Sequence, residues 1–304
     1  MKKLFLWHIA AALMMLTACS PNDECQPDLS FIGKPMNIAI SFAEMTDAST
    51  RVSSPMTTGT AWLDGTGNLM KAYTYSGDVF TTENPLLWTA TPMRVCGYYA
   101  DGGTTMVDNT HAYTAADPSA ASFLAGATTA TYTQDEQEEI SLSLRQQLAY
   151  IYVTVSSDYG TVMTEAKLGN GMLYTTGIFD NSSFDLNGFA NAGTDNSGWT
   201  TSGSPTTINM TQSDYSVSSS TTSYTYEGII IPQTIGTSKP FFTVKINGYP
   251  VGFRLNASQT FKAGARYNLS VDRVTKMLYI QSVVNVSDFT DSGSSTSQSD
   301  LAAN

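Results

Sequence analysis

Short stretches in which apolar and polar residues alternate recur along the chain, and this two-residue period most constrains its fold. One stretch is MNIAISFAEM, which places Met36, Ile38, Ile40 and Phe42 on one face. Others are EISLSLRQQLAYIYVTVSS and KMLYIQSVVNVSDF. Successive side chains of a β-strand point to opposite faces, so each stretch is typical of a strand with one buried face.

Turn signals separate these strands. Asn247-Gly248 stands between FFTVKI and YPVGFRL, and Asn-Gly supplies the two positive φ angles of a type I′ hairpin turn. Stretches rich in Gly, Ser, Thr and Asn, at residues 188–204 and 216–223, are typical of exposed loops. The spacing predicts an all-β chain of antiparallel sandwiches. A length of 304 residues favours two domains, and we place their boundary near Leu144, after the polar linker TQDEQEE.

The first residues predict export as a lipoprotein. Met1-Lys2-Lys3 precedes an apolar run that is too short to span a membrane. The run ends in Leu-Thr-Ala-Cys, which resembles a lipobox, so we expect loss of residues 1–18 and acylation of Cys19. An ordinary signal peptide with a chance cysteine is the alternative. The acidic residues after Cys19 resemble a signal for export to the outer face of the outer membrane, or form a solvated tether.

Charge and composition argue against several function classes. The formal net charge is −11, so no basic surface for nucleic acid is indicated. The two histidines are His8 and His111, and His8 would leave with the signal peptide. One histidine is too few for a histidine-based zinc site or catalytic triad, and no glycine motif for a nucleotide cofactor occurs. We predict a protein that is not an enzyme and holds neither a metal nor a cofactor.

One loop nevertheless offers oxygen ligands for a hard cation such as calcium. In DNSSFDLNGFANAGTDNSGW these are Asp180, Asp185, Asn187 and Asp195. The alternate spacing of an EF-hand loop is missing, so a solvated, turn-rich loop is the preferred interpretation.

Tryptophans and cysteines leave two further alternatives open. Trp62, Trp88 and Trp199 could stack on sugars, although such residues more often fill a β-sandwich core. A monomeric carbohydrate-binding lipoprotein is therefore the alternative function. Cys25 and Cys96 could pair in an oxidising compartment, but Cys25 lies in the expected tether.

Several segments, taken in order, resemble the fimbrillin family, the subunits of type V pili in Bacteroidales-type bacteria. They are the lipobox, the STR element at Ser49–Arg51, WTATPMRVCGYYADGG, DPSAASFLAGATTATYTQDEQEEISLSLRQQLAYIYVTV, GIIIPQ and INGYPVGFRLNASQTFKAGARYNLSVDRV. Gly264 and Tyr267 have the family's G-x-x-Y placement. The family often has His where Gln146 or Gln147 stands. The resemblance covers nearly all of residues 19–290.

This resemblance implies two transthyretin-like β-sandwich domains, at residues 52–143 and 144–304, after an acylated tether and removable strand at 19–51. It implies a structural or adhesive pilus subunit on the surface of the outer membrane, in a fimbrium. The implied partners are other pilus subunits, an arginine-specific or trypsin-like protease, and the membrane through the lipid on Cys19.

From the residues we expect the protease to cut between Arg51 and Val52, because TDASTRVSSP is small, polar and without a strand pattern. The cut would release the strand at 36–45 and leave an apolar groove with unpaired edges for another subunit's strand. The donor candidate is 277–289, before a polar tail, with one apolar face formed by Leu278, Ile280, Val284 and Val286. A permanent strand followed by an ordinary loop arginine is the alternative.

Overall fold

A computed structural model describes residues 30–42, 58–65, 70–76, 79–100, 110–114, 123–133, 139–169, 181–186, 198–202, 205–238 and 240–285. The strands in these residues are β1 (Ile38–Phe42), β2 (Thr58–Gly65), β3 (Lys71–Ser76), β4 (Val79–Thr81), β5 (Met93–Ala100), β6 (Thr110–Thr114), β7 (Phe123–Ala130), β8 (Ile140–Gln146), β9 (Ala149–Asp158), β10 (Met163–Leu168), β11 (Asn181–Asp185), β12 (Trp199–Ser202), β13 (Ile208–Asn209), β14 (Thr211–Val217), β15 (Thr221–Ile230), β16 (Gln233–Ile235), β17 (Phe242–Ile246), β18 (Tyr249–Leu255), β19 (Gln259–Phe261), β20 (Ala265–Asp272) and β21 (Met277–Asn285). The prediction of an all-β chain is confirmed.

The first sheet has seven strands in the order β1-β8-β7-β5-β2-β3-β4. It is rolled, because its two edge strands meet: the ring of Phe42 in β1 lies 5.3 Å from the ring of Phe80 in β4. The rolled sheet encloses the first core, whose fully buried side chains include Leu63, Leu86, Met93, Val95, Leu142 and Leu144.

The second sheet has nine strands in the order β13-β10-β17-β18-β21-β20-β9-β15-β14. Its two edges are joined through Met210, which alone separates β13 from β14 and whose N–H donates to the carbonyl of Ala166 at 2.9 Å. The second core lies within this sheet and includes Ile151, Val153, Val155, Phe242, Val244, Phe253 and Leu269.

The predicted hairpin is confirmed. Strands β17 and β18 pair up to Ile246 and Tyr249, and the two residues between them, Asn247 and Gly248, have φ angles of 50° and 84°. Both values are positive, as a type I′ turn requires.

Most strand pairs are antiparallel, as predicted, and three pairs differ. Strand β1 runs parallel to β8, β20 parallel to β9, and β18 parallel to β21. In each pair many residues separate the two strands along the chain, and such long connections permit parallel pairing, whereas a tight hairpin does not. Both sheets are therefore mixed.

The chain changes sheets between β8 and β9, at Gln147 and Leu148. The predicted boundary at Leu144 falls inside β8, which belongs to the first sheet. Two side chains fix this crossing. Gln146 accepts N–H bonds through Oε1 from Phe123, Gln147 and Leu148 and donates to the hydroxyl of Tyr150 at 2.6 Å. Gln147 donates to the carbonyls of Ala125 and Arg145.

The G-x-x-Y placement also serves the crossing. Gly264 has a φ of +66°, a region that favours glycine, and its N–H donates to the carbonyl of Leu148 at 2.9 Å. A Cβ at this position would lie 3.0 Å from the carbonyl oxygen of Gln146. The hydroxyl of Tyr267 accepts from the N–H of Lys262 at 2.7 Å.

A third core joins the two sheets. Its buried residues come from strands of both sheets and from their connections, and they are Cys96, Tyr98, Phe123, Ala125, Leu148, Tyr150, Leu186, Ile229 and Ile231. Strand β9 explains the arrangement: Ile151 and Val153 face the second core while Tyr150 and Tyr152 face the third. Apolar residues therefore follow one another in β9 because both of its faces are covered. The assignment of two independent domains at 52–143 and 144–304 stays a prediction.

Candidate functional site: the seam closed by the N-terminal segment

The candidate site is the line along which the two edges of the rolled first sheet meet, and we call it the seam. Residues 30–42 close it. Strand β1 is the edge strand there, and it pairs in parallel with β8 from Ile38 opposite Ile140 to Phe42 opposite Leu144. The chain joins β1 to β8 through a long connection rather than a hairpin. Only the backbone ladder and the side-chain contacts therefore fix β1 in this position.

The residues before β1 bind the other side of the seam. The N–H of Gly33 donates to the carbonyl of Trp88 at 2.8 Å, the N–H of Trp88 to that of Lys34 at 2.9 Å, and the N–H of Met36 to that of Leu86 at 2.8 Å. This is a short antiparallel pairing with the segment that follows β4. One continuous stretch therefore bonds both to β8 and to the segment that follows β4.

The predicted strand does carry one apolar face, and that face contacts the first core. Met36 is buried, whereas Ile38, Ile40 and Phe42 are half-buried and pack against the same core. The alternation predicted from MNIAISF is confirmed over the described part of the strand.

Phe42 ends the segment in an aromatic cluster. Its ring centroid lies 5.3 Å from those of Tyr75 and Phe80 and 5.8 Å from that of Tyr99. Edge-to-face and tilted contacts of this kind are favourable in addition to the burial itself. The cluster draws on β3, β4 and β5, so Phe42 ties the segment to the far edge of the sheet.

The segment following β4 is itself held by the sheet. The hydroxyl of Tyr73 accepts the N–H of Leu86 at 3.1 Å, and Leu86 is fully buried. Burial raises the pKa of Tyr73, and the bond from Leu86 lowers it by less. The phenol is therefore neutral at physiological pH. Residues 86–88, to which the N-terminal segment bonds, are thus anchored in the first core.

The donor candidate lies deep in the second sheet. Strand β21 pairs with β20 from Ala265 opposite Asn285 to Asp272 opposite Met277, and with β18 at its first two residues. Leu278 is fully buried, and Ile280 packs against the second core. A register shift between Asn268 and Leu269 changes the alternation, so Val283 packs against this core while Val284 stands half-buried opposite Arg266.

Several predicted residues lie outside the described part of the chain. These are Cys19, Cys25, Arg51, Val52, Val286, Asp180, Asn187, Asp195, residues 43–45 of the released strand and the polar tail. Cleavage, acylation and the Cys25–Cys96 pairing therefore stay predictions. Cys96 itself is fully buried.

Other predictions concern residues that the structure describes. Trp88 packs against the first core, and Trp62 and Trp199 pack against the third, so these rings cover cores. Within the described ranges, no group of three or more metal-ligating side chains lies together. Among the same residues, no helix reaches the length and apolarity that a membrane span needs.

Sequence reasoning missed Phe31 and its partners. Phe31 is buried in the first core, its ring lies 5.1 Å from that of Tyr132, and Lys34 donates to the hydroxyl of Tyr132 at 2.8 Å. The residue lies in a stretch interpreted as a tether. The available signal was the apolar pair Phe31-Ile32, which a solvated tether does not need.

These features define a class of all-β proteins in which an N-terminal strand closes the seam of a rolled sheet. A model of the fimbrillin-like family matches residues 44–288. The chain belongs to the fimbrillin-like family, as the order of its sequence segments predicted.

Two solved structures, each described as a "putative cell adhesion protein", agree with this fold. The one from Bacteroides ovatus has a TM-score of 0.54 and 12% identity, covering 83% of this chain and 98% of that one. The one from Bacteroides uniformis has a TM-score of 0.52 and 12% identity, covering 86% and 100%. The fimbrial anchor protein Mfa2 from Porphyromonas gingivalis is more distant, with a TM-score of 0.39, 9% identity, and 83% and 97% covered. A comparison with curated protein sequences finds no match.

Proposed function

We propose that this protein is a structural or adhesive subunit of a fimbrium. Membership of the fimbrillin-like family supports this role, and so does the description of its structural neighbours as cell adhesion proteins. Other pilus subunits are its partners, and it lies on the cell surface. The family's structural character likewise supports a role without catalysis.

The finer proposal is export as a lipoprotein acylated on Cys19, followed by assembly through strand exchange. The observation that carries the second part is the position of β1. It is an edge strand that pairs with β8 alone in a ladder, and it closes a seam lined by apolar side chains. Its removal would leave the edge of β8 unpaired and uncover part of the first core, a surface that an extended strand of another subunit can fill.

The proposed trigger is a cut between Arg51 and Val52 by an arginine-specific or trypsin-like protease. The N-terminus of the mature protein tests it directly: we expect Val52. Arg51→Ala should leave folded monomer and abolish high-mass ladders on cells, whereas Arg254→Ala, at an exposed strand position, should assemble as the unchanged protein does. Ladders of normal length from Arg51→Ala would refute the trigger.

Export is tested separately. Cys19→Ala should block acylation and remove the protein from the outer-membrane fraction, because no lipid would then retain it. Metabolic labelling with a fatty acid, followed by membrane fractionation, measures both effects. Unchanged fractionation of this variant would contradict the lipoprotein assignment.

A further inference from the structure

We propose that residues 30–42 act as a separable ligand of the first sheet, which stays bound after the chain between residues 43 and 57 has been cut. The inference rests on the proposed function and concerns how its released strand leaves. We call residues 30–37 the clip. The contacts of the clip, more than those of β1, keep residues 30–42 bound to the first sheet.

The burial of the side chains supports this division. In the clip, Phe31 is 6% exposed and Met36 is 4% exposed. In β1, Ile38, Ile40 and Phe42 are only half-buried. Since the hydrophobic contribution grows with the apolar area removed from water, the clip has the most firmly held side chains of the segment.

The backbone of the clip is shaped for its partner. The N–H of Lys34 donates to the carbonyl of Phe31 at 3.0 Å, which closes a turn in which Gly33 has a φ of +83°. The turn places Phe31 against the core while Gly33, Lys34 and Met36 bond to residues 86–88. The backbone of the clip is thus bonded to residues 86–88 by three hydrogen bonds.

Tyr132, just after β7, supplies a second hold on the clip. Its hydroxyl accepts from Nζ of Lys34, which also lies 5.3 Å from the centre of the same ring. The ring lies 5.1 Å from that of Phe31 and 5.5 Å from that of Trp88. The clip is therefore held by an aromatic group that belongs to the body of the sheet.

None of these contacts involves residues 43–57. Hydrolysis of one peptide bond between residues 43 and 57 leaves each of these backbone bonds and side-chain contacts of residues 30–42 in place. The cut protein is then a complex of two fragments. An incoming strand that replaces β1 beside β8 must also displace the clip from residues 86–88, which lie on the other side of the seam.

An engineered cut tests retention. In the full-length chain, residues 48–54 are replaced by the recognition sequence of a site-specific protease, and the detergent-solubilised protein is cut to completion. Native size-exclusion chromatography should give one peak that holds both fragments, which separate on a denaturing gel. Elution of the N-terminal fragment on its own would overturn the proposal.

The role of the clip is tested by the rate at which the fragments part. A labelled synthetic peptide of residues 30–42 is added in excess to the cut protein, and its uptake is followed. Phe31→Ala in the chain should speed the exchange roughly tenfold or more, because a buried aromatic contact is lost. Ser41→Ala, at an exposed position of β1, should not change it.

Lys34→Gln provides a variant that leaves the core intact, since Lys34 is exposed, and it too should exchange faster than Ser41→Ala. Equal rates for all three variants would assign the hold to β1 and refute the clip. Because the engineered site replaces the natural one, an uncut Arg51 in cells would refute the proposed trigger while leaving this result intact. Loss of the fragment on cutting would refute the clip while leaving assembly through an empty groove open.

Discussion

At the scale of single residues, two of the buried polar side chains that the structure describes, those of Gln146 and Tyr226, are in opposite situations. Gln146 accepts three N–H bonds and donates a fourth bond, all at the crossing between the sheets. Tyr226 is 3% exposed, and its hydroxyl has no hydrogen-bond partner among the described residues. Removal of the Gln146 side chain should lower stability, because buried N–H groups then lose an acceptor. Removal of the Tyr226 hydroxyl should not, because that hydroxyl is already buried without a partner among the described residues.

We expect Gln146→Leu to lower the free energy of unfolding by about 2–4 kcal/mol, since it removes an acceptor from three backbone N–H groups, of which that of Gln147 keeps the carbonyl of Phe123 at 2.8 Å. Urea denaturation measures the change. Gln212→Leu, at an exposed position of β14, is the control and should have little effect. Equal stability of the two variants would mean that the crossing does not depend on this side chain.

We expect Tyr226→Phe to keep or raise stability at neutral pH. The pKa of Tyr226 is raised to about 12, first by burial and second by Tyr224 nearby. A free tyrosine ionises near pH 10, so the unfolded chain loses this proton first and stability falls as pH rises from about 10 to 12. The variant should lose less stability than the unchanged protein between urea titrations at pH 8 and pH 11. An identical loss in both proteins would contradict this assignment.

At the scale of strands, the contact between β7 and β8 depends on a glycine. A Cβ on Gly126 would lie 2.2 Å from the carbonyl oxygen of Ser143, a backbone atom that cannot move away alone. Strand β8 is also the strand that β1 pairs with. The glycine therefore controls both the closure of the first sheet and the shape of the seam.

Gly126→Ala should separate β7 from β8 and destabilise the protein by about 1–3 kcal/mol, the usual cost of overpacking. It should also speed the uptake of the labelled 30–42 peptide by the cut protein. Gly236→Ala, where a Cβ meets nothing within 4 Å, is the matched control. No difference between the two variants in either measurement would show that the sheet absorbs the extra carbon.

At this scale the sequence predicted the features that depend on neighbouring residues. The alternation in MNIAISF and the Asn247-Gly248 turn each depend on a few consecutive residues, and both were predicted. The parallel pairs and the closure of the seam join residues far apart along the chain, so no local pattern specifies them. The one-residue register shift in β21 likewise moved the buried position from Val284 to Val283, because a bulge leaves no mark on the hydrophobic pattern.

At the scale of the whole molecule, the third core makes the two sheets dependent on each other. Phe123 is fully buried there, with its ring 6.0 Å from that of Tyr98 and 5.2 Å from that of Trp199. Since this core draws on strands of both sheets, the two should unfold together in a single transition.

Phe123→Ala should weaken this coupling and split the calorimetric transition into two, at a cost of about 3–5 kcal/mol. Phe253→Ala removes a ring from within the second core alone, so it should lower the transition temperature without splitting the transition. Two transitions already present in the unchanged protein would mean that the sheets are independent domains.

The parallel pairing of β1 with β8 also sets how the protein resists tension. Load that enters at the N-terminus meets the clip first and, once the clip has parted, pulls on the first residue of β1. Load that leaves through the second sheet pulls on the last residue of β8, where the chain crosses over. In a parallel pair these are opposite ends. The force therefore acts along the strands as shear and strains all five residue pairs of the ladder at once. An antiparallel partner would be peeled away one pair at a time, and at a lower force.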